Sequence, residues 1–313
     1  MRKGEKVGKV QFAVKQTKQK SFDEVTEEYI KICKRKNLSE TTIKGYRYSC
    51  KYFMDFNENN YITKNSVNNY VDYLESKNTN IATINSYIRK LSPLFKYAYE
   101  MGYYPKVDIN FIKYQKRAKD IYTKEELNKL LQKPKKKTFV NIRNWTMAWT
   151  FASTGIRRNE LQHLRICNVD LLNRTLLLNK TKNKNYRYIP ISSGLYEVLL
   201  EYMELREGEK DDYLFCTVYN TKMATSSINK EMELYNSMQG VSTTGIHRYR
   251  HTFITNAVNN NVNILLLKKI TGHSSTTTLS GYYNAKINDA LEIIDTIAPK
   301  GLKKSRKNIL KNR

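Results

Sequence analysis

The segment that decides how this chain is organised reads GIHRYRH over residues 245–251, and it is followed by GH at 272–273 and YY at 282–283. These three pieces contain three of the four histidines in the chain. Arginine pairs with phosphate oxygens, histidine transfers protons near neutral pH, and a tyrosine oxygen can act as a nucleophile. The segment therefore suggests phosphoryl transfer, and the rest of the chain has to supply the remaining groups.

The net charge points to the partner. Among 313 residues there are 55 Lys and Arg against 29 Asp and Glu, which gives a formal charge of +26. Such an excess favours a polyanion, and nucleic acid is the commonest one. A general compositional bias toward Lys, Asn, Ile and Tyr explains part of this charge, but it does not explain where the arginines lie.

Other features exclude several classes of protein. The sequence has no apolar run long enough to span a membrane, and its basic beginning lacks the apolar core of a signal peptide. The cysteines lie far apart without a Cys-x-x-Cys pair, which is typical of reduced thiols in a cytoplasmic protein. They are Cys33, Cys50, Cys167 and Cys216.

Residues 21–102 predict four helices with apolar positions at helical spacing. Ser21 and Glu24 form a capping-box pattern, Ser39 is a second N-cap, and Pro93 predicts a kink in the fourth helix. The predicted outer faces are basic, although each cation taken singly fits an ordinary solvated surface. These cations are Lys44, Arg47, Lys51, Arg89, Lys90 and Lys96.

Residues 103–120 are basic and lack periodicity, so they predict a linker. Beyond it, a capping box at 123–126 opens a helix, and the apolar stretch 141–153 predicts a buried central helix. Strand-like stretches on either side of the lysine-bearing loop 179–185 predict a small antiparallel sheet. Further predicted elements are helices at 194–206, 225–237, from 245 onward and 287–297, and a short strand at 213–216.

Two arginine-bearing segments could act on one phosphate. His247 and Arg250 lie three residues apart, as do Arg157 and Glu160, so each pair would share a helix face. Guanidinium groups from both segments could bind the two non-bridging oxygens of one phosphodiester and stabilise the charge that grows there during attack. Attack by tyrosine also requires proton transfer, which His247 and the loop lysines could divide.

The motifs together resemble those of the tyrosine recombinases, the phage-integrase family. The resemblance lies in TGIRRNEL at 154–161, KTKNKNYRYIP at 180–190, HRYRHT at 247–252, Gly272-His273 and Tyr282, and it extends over about residues 21–295. It implies a mainly α fold with a small antiparallel β-sheet in the catalytic domain. The implied order is a basic arm (1–20), a helical, SAM-like core-binding domain (21–102), a linker (103–120), an α/β catalytic domain (121–300) and a basic tail (301–313). The two domains would close around DNA as a C-shaped clamp.

By this resemblance Arg157 and Arg250 bind the scissile phosphate, His273 donates a hydrogen bond to it, and Glu160 supports the site. Lys182 would be the general acid for the 5′-hydroxyl, preferred over Lys180 and Lys184 because it lies eight residues before Pro190. His247 would assist proton transfer.

Tyr282, nine residues after His273, would attack and form a 3′-phosphotyrosine; its neighbour Tyr283 is the alternative nucleophile. The sequence departs from the family pattern at Tyr249, where leucine is usual, at 270–271, where a leucine pair is common, and at 282–284, where Tyr-Thr-His is usual.

The resemblance also implies the partners. The phosphotyrosyl bond retains the energy of the broken phosphodiester, so neither a cofactor nor a metal is expected. His247 and His251 could form half of a zinc site, but no third ligand lies at suitable spacing. The expected partners are a double-stranded DNA recombination site and three further copies in a synaptic homotetramer, with a helix near 289–297 docking into a neighbour. No membrane is expected.

Three other functions compete with this hypothesis. A type IB topoisomerase has similar catalytic residues, but the small helical N-terminal domain favours a recombinase. A remnant that only binds DNA is disfavoured by the complete catalytic set, and a metal-dependent transposase or nuclease would need clustered carboxylates. The short arm favours an Xer-like recombinase or the integrase of a small element over an integrase that binds accessory arm sites.

Overall fold

The computed structural model describes residues 20–57, 62–115, 120–179, 186–242 and 245–273. The chain divides into two compact units, residues 1–117 and 118–313. The predicted helix 287–297, the tail 301–313 and all of the arm except Lys20 lie outside the described residues.

In its described residues, the first unit is built from four helices, as predicted. They are α1 (Phe22–Arg35), α2 (Glu40–Phe56), α3 (Ser66–Ser76) and α4 (Ile81–Glu100). The Ser21–Glu24 capping box is present: the Ser21 hydroxyl accepts from the Glu24 N–H, and the Glu24 carboxylate accepts from the Ser21 N–H at 2.8 Å. Aromatic side chains fill the centre, with Phe53 packed edge-on against Phe95 at 5.4 Å between ring centroids.

Part of the segment expected to be a linker packs on this first unit. Tyr103, Tyr104 and Val107 are buried in its core. The Asn85 side chain also pairs with the backbone of Ile112, donating to its carbonyl at 2.8 Å and accepting from its N–H at 3.0 Å. Periodicity did not reveal this packing, because the contacts come from isolated side chains and not from a repeating helical face.

The second unit, where the structure describes it, is mainly helical with one small sheet. Its first helices are α5 (Lys124–Leu131), α6 (Phe139–Thr154) and α7 (Arg158–Gln162). A 3-10 turn (Ile166–Asn168) leads to strands β1 (Val169–Asp170), β2 (Thr175–Asn179) and β3 (Tyr186–Pro190). The last described helices are α8 (Ser193–Arg206), α9 (Thr225–Met238), α10 (Ile246–Asn259) and α11 (Ile264–Thr271). The sheet is antiparallel in the order β1-β2-β3, with Leu176 opposite Ile189.

Helix α6 is the centre of the second unit, as its apolar sequence predicted. It packs against α5, α8, α9 and α10, and it buries side chains all around its circumference. Trp145 and Trp149 donate their indole N–H groups to the same carbonyl, that of Leu131 at the end of α5, at 2.9 and 3.0 Å. The two tryptophans therefore fasten α5 to the central helix.

Two features differ from the sequence-based expectations. Residues 213–216 do not form a strand; they make only isolated bridges, Arg165 with Tyr213 and Cys216 with Lys222. Their apolar residues are buried by packing, so burial alone produced the strand-like pattern. Helix α11 was not predicted, because eight residues carry too little periodicity to distinguish a helix from an apolar loop.

Candidate active site

The first arginine is presented by a sharp turn at the end of α6. Gly155 has φ +58°, and a Cβ there would lie 2.5 Å from Cδ1 of Phe253, so glycine is required for both conformation and space. The chain then enters α7 with Arg157 as its N-terminal flanking residue. The Glu160 carboxylate accepts from the Arg157 backbone N–H at 2.9 Å, which fixes the start of this short helix.

The second arginine comes from α10. This helix begins after Gly245, so that His247 is exposed on its first turn while Arg250 is buried in its second. The Arg250 guanidinium donates to the carbonyl of Gly155 and, at 2.8 Å, to the carbonyl of Thr271. Arg250 thereby ties α10 to the turn that presents Arg157.

Both arginines meet at the end of α11. Arg157 donates to the carbonyls of Thr271 at 3.0 Å and Gly272 at 2.8 Å. The Nε2 atom of His273 lies 3.2 Å from Nη2 of Arg250, and its Nδ1 lies 2.7 Å from the Thr271 hydroxyl oxygen. The structure thus brings Arg157, Arg250 and His273 together from three separate segments.

Of the three other predicted catalytic residues, the structure describes only His247. His247 lies one helical turn before Arg250 and is exposed. Lys182 with its alternatives Lys180 and Lys184, and Tyr282 with its alternative Tyr283, lie outside the described residues. Their roles therefore remain predictions from the sequence.

One arginine of the site was missed by sequence reasoning. Arg187 on β3 forms a two-pronged ion pair with Glu160, at 2.7 Å from Nη1 to Oε1 and 2.8 Å from Nη2 to Oε2. Burial alone would raise the pKa of Glu160, but the hydrogen bonds and charge of Arg187, together with Arg157, hold that pKa below its usual value. Glu160 is therefore a carboxylate shared by two guanidinium groups.

A signal for Arg187 was present in the sequence. Side chains alternate along a strand, so residues 187 and 189 were expected to share one face of β3. In the structure Ile189 on that face is fully buried, while Tyr186 and Tyr188 on the other face are exposed. An arginine on the buried face of a strand requires an acidic partner, because an unpaired buried charge is costly.

An open pocket of about 270 Å³ adjoins these groups. Its lining includes three cationic side chains and consists of Tyr186, Arg187, Leu265, Lys268, Lys269, Gly272 and His273. Within the described ranges, no group of three or more His, Cys, Asp or Glu side chains could hold a metal ion. In the same part of the chain, no helix is both long and apolar enough to cross a membrane. The positive charges and N–H donors around the pocket suit a phosphate group.

Comparison with known proteins gives matches to both units. Residues 121–288 match the model of the phage integrase family, and residues 21–116 match that of the phage integrase SAM-like domain. The chain is 26% identical over 204 residues to tyrosine recombinase XerC of Mannheimia succiniciproducens, covering 64% of this chain and 68% of the relative. It is 22% identical over 295 residues to tyrosine recombinase XerD of Staphylococcus aureus, covering 89% of this chain and all of the relative.

A solved structure shows the same fold. The Tn1549 transposon integrase, in complex with circular intermediate DNA, superposes with a TM-score of 0.71 at 20% identity, covering 88% of this chain and 99% of that one. The match to the integrase model takes in more than half of the sequence, including α7, α10 and α11 with their converging arginines. The chain therefore belongs to the phage integrase family of tyrosine recombinases.

Proposed function

We propose that this protein is a site-specific recombinase that cleaves and rejoins DNA strands through a covalent 3′-phosphotyrosyl intermediate. It would serve DNA integration and excision or the resolution of chromosome dimers. The observation that carries the proposal is the convergence of Arg157 and Arg250 on the carbonyl of Thr271, with His273 beside them.

The two arginines bind the non-bridging oxygens of the scissile phosphate. Negative charge increases on these oxygens as a nucleophile adds to phosphorus, so fixed guanidinium groups stabilise the transition state more than the ground state. Both guanidinium groups are held by backbone carbonyls and therefore need little reorganisation when the phosphate arrives. His273 adds a hydrogen-bond donor to the same phosphate.

The remaining groups carry out the transfer. The phenolic oxygen of Tyr282 forms a bond to phosphorus while the bond from phosphorus to the 5′-oxygen breaks, and Lys182 protonates the departing 5′-oxygen. His247 takes the proton that the Tyr282 phenol loses. The reverse reaction, with a 5′-hydroxyl from a second duplex as nucleophile, completes strand exchange. One phosphodiester is exchanged for another ester of similar energy, so the reaction needs no ATP.

The same proposal assigns the domains and partners. Residues 21–102 bind the core DNA site and residues 121–300 carry out the chemistry. The net charge of +26 and the DNA-bound state of the Tn1549 integrase support double-stranded DNA as substrate. Recombination of two duplexes cuts four strands with one tyrosine each, which corresponds to a homotetramer on synapsed DNA. We place this reaction in the cytoplasm.

The decisive test uses a nicked suicide substrate that contains the cognate site, in the presence of EDTA. We expect a covalent protein–DNA adduct that is lost in Tyr282→Phe and kept in Tyr283→Phe. An adduct that survives in Tyr282→Phe would show that the nucleophile is misassigned. A strict requirement for Mg²⁺ would contradict the proposed chemistry.

The same protein can be tested for topoisomerase activity, the alternative function. The two relatives described above are both named recombinases and give no support to this alternative. A recombinase should join two paired sites and leave plasmids without a site supercoiled. Relaxation of any supercoiled plasmid by a monomer, without recombination of paired sites, would favour the topoisomerase.

A further inference from the structure

Arg187 and Glu160 form a largely buried ion pair at the edge of the candidate active site. The Arg187 side chain is only 9% exposed and that of Glu160 15%. Nη1 of the guanidinium donates to Oε1 of the carboxylate at 2.7 Å and Nη2 donates to Oε2 at 2.8 Å. These two parallel bonds fix the plane of the carboxylate as well as its position. The pair joins β3 to α7, and its two residues lie 27 positions apart in sequence.

Glu160 in turn contacts both the backbone and the side chain of Arg157. Its Oε2 accepts from the Arg157 backbone N–H at 2.9 Å, and its Oε1 lies 3.2 Å from Nη1 of the Arg157 side chain. A carboxylate held by Arg187 can therefore orient both the backbone and the guanidinium of Arg157. Without Arg187, the carboxylate could rotate and one support of the phosphate-binding side chain would be lost.

The charges give a second reason for Arg187. Glu160 contacts the guanidinium groups of both Arg157 and Arg187, so one negative charge is shared by two positive charges. If Arg187 were absent, Glu160 would neutralise Arg157 alone, and Arg157 would attract a phosphate less strongly. With Arg187 present, the three groups keep a net positive charge next to Arg250.

Space around the pair is also limited. A Cβ built on Gly272 would lie 2.2 Å from Nη1 of Arg187 and 3.1 Å from Nη1 of Arg157. Arg187 therefore reaches the same glycine whose carbonyl accepts from Arg157 at 2.8 Å. Its placement ties three segments of the site together: β3, α7 and the end of α11.

We propose that Arg187 is a positioning residue for the phosphate-binding arginines, acting through Glu160 on the orientation and effective charge of Arg157. This inference rests on the proposed recombinase function. Arg187 itself contacts no reacting atom in this scheme. Its loss should therefore slow strand cleavage much more than it weakens DNA binding, which is spread over many phosphates.

The chain offers a matched control. Arg143 on α6 is 3% exposed and lies 3.1 Å from Glu231, so it is another buried arginine paired with glutamate in the same unit. Its further bonds go to Asn144 and to the carbonyl of Cys216, and none reaches Arg157, Arg250 or His273. Arg143→Gln thus removes a comparable pair without touching the candidate site.

The experiment measures single-turnover cleavage of the nicked suicide substrate with full-length protein in excess, together with the dissociation constant for the intact site. Thermal melts identify a temperature at which every variant is folded. We expect Arg187→Gln to cleave on the order of 10- to 100-fold more slowly, with DNA affinity within about threefold of the unmodified protein. Arg143→Gln should lower the melting temperature yet cleave at the unmodified rate when folded.

Two further variants separate positioning from simple stability. In Glu160→Gln/Arg187→Gln no buried charge is left unpaired, so this variant should fold. Arg157 also keeps its full charge, so the variant should cleave DNA faster than Arg187→Gln. It should still cleave several-fold more slowly than the unmodified protein, because the amides orient Arg157 less firmly. Arg187→Lys keeps the charge without the planar fork, so its cleavage rate should also fall between those of Arg187→Gln and the unmodified protein.

The possible results are distinct. Folded Arg187→Gln that cleaves at the unmodified rate would overturn the inference, as would equal slowing in Arg143→Gln. If Arg187→Gln does not fold, unmodified cleavage rates in both Arg187→Lys and the double variant would overturn it. If the unmodified protein forms no adduct with its site, the proposed function itself fails, which is a different outcome from an adduct insensitive to Arg187.

Discussion

At Gly272, both the backbone conformation and the nearby arginine side chains require a glycine. It has φ +65°, and a side chain there would collide with the guanidinium of Arg187 at 2.2 Å. We expect Gly272→Ala to reduce cleavage on the order of 100-fold, because Arg187 and Arg157 must both move. The measurement is the single-turnover rate on the nicked substrate, with the midpoint of urea unfolding recorded in parallel.

Gly240 is the control for the backbone effect. It has φ +72° in the same unit, but a Cβ there would meet nothing within 4 Å. Gly240→Ala should therefore cost only the left-handed conformation, about 1–2 kcal/mol of unfolding free energy, and leave cleavage unchanged. Equal cleavage rates in the two alanine variants would contradict the steric account of Gly272.

At the scale of elements, α10 is held by a buried polar network as well as by apolar packing. The Tyr249 hydroxyl donates to Oδ1 of Asn236 on α9 at 2.9 Å, and Nδ2 of Asn236 donates to the Tyr122 hydroxyl at 2.8 Å. The Tyr122 backbone N–H donates in turn to the hydroxyl of Thr252 on α10 at 2.8 Å. Tyr249, which departs from the family's usual leucine, keeps apolar ring contacts with Tyr122 and Phe151 and adds a hydrogen bond between helices.

This network predicts a stability effect. Tyr249→Phe leaves Oδ1 of Asn236 without its donor in a buried position, so we expect a loss of about 1–3 kcal/mol in unfolding free energy. Urea denaturation followed by circular dichroism measures it. Tyr219→Phe is the control, since Tyr219 is 84% exposed and should change stability by less than about 0.5 kcal/mol. An unchanged midpoint in Tyr249→Phe would show that the hydroxyl contributes nothing.

The sequence predicted helices correctly where capping residues mark their N-terminal ends. The capping boxes at Ser21 and Thr123 start α1 and α5 as expected, because a side chain and a backbone N–H only three residues apart decide the outcome. Prediction failed at residues 213–216 and at α11. Whether a short apolar stretch becomes strand, helix or loop depends on neighbours that are distant in sequence.

At the scale of the whole molecule, charge is the dominant property. With a net charge of +26, many cations can contact DNA phosphates and release condensed counterions. We expect the logarithm of the DNA association constant to fall with the logarithm of salt concentration with a slope of about −5 or steeper, equivalent to six or more phosphate contacts. Fluorescence anisotropy over a salt series measures this slope.

The comparison with an unrelated DNA sequence completes the test. Non-specific binding should show a similar or steeper slope, because it depends on phosphates alone. A nearly flat dependence on salt would contradict the assignment of the positive charge to nucleic acid.

The sequence by itself determined the family, the mainly helical fold with its small sheet, and the candidate residues Arg157, Lys182, His247, Arg250, His273 and Tyr282. It could do so because motif order, caps and apolar periodicity are local properties of the chain. The resemblance also implied that Arg157, Arg250 and His273 act on one phosphate, but only the tertiary structure decided that they meet at the end of α11 and that Arg187 supports Glu160. The physical reason is that a buried charge takes its partner from whichever element packs against it, here one 27 residues away in sequence.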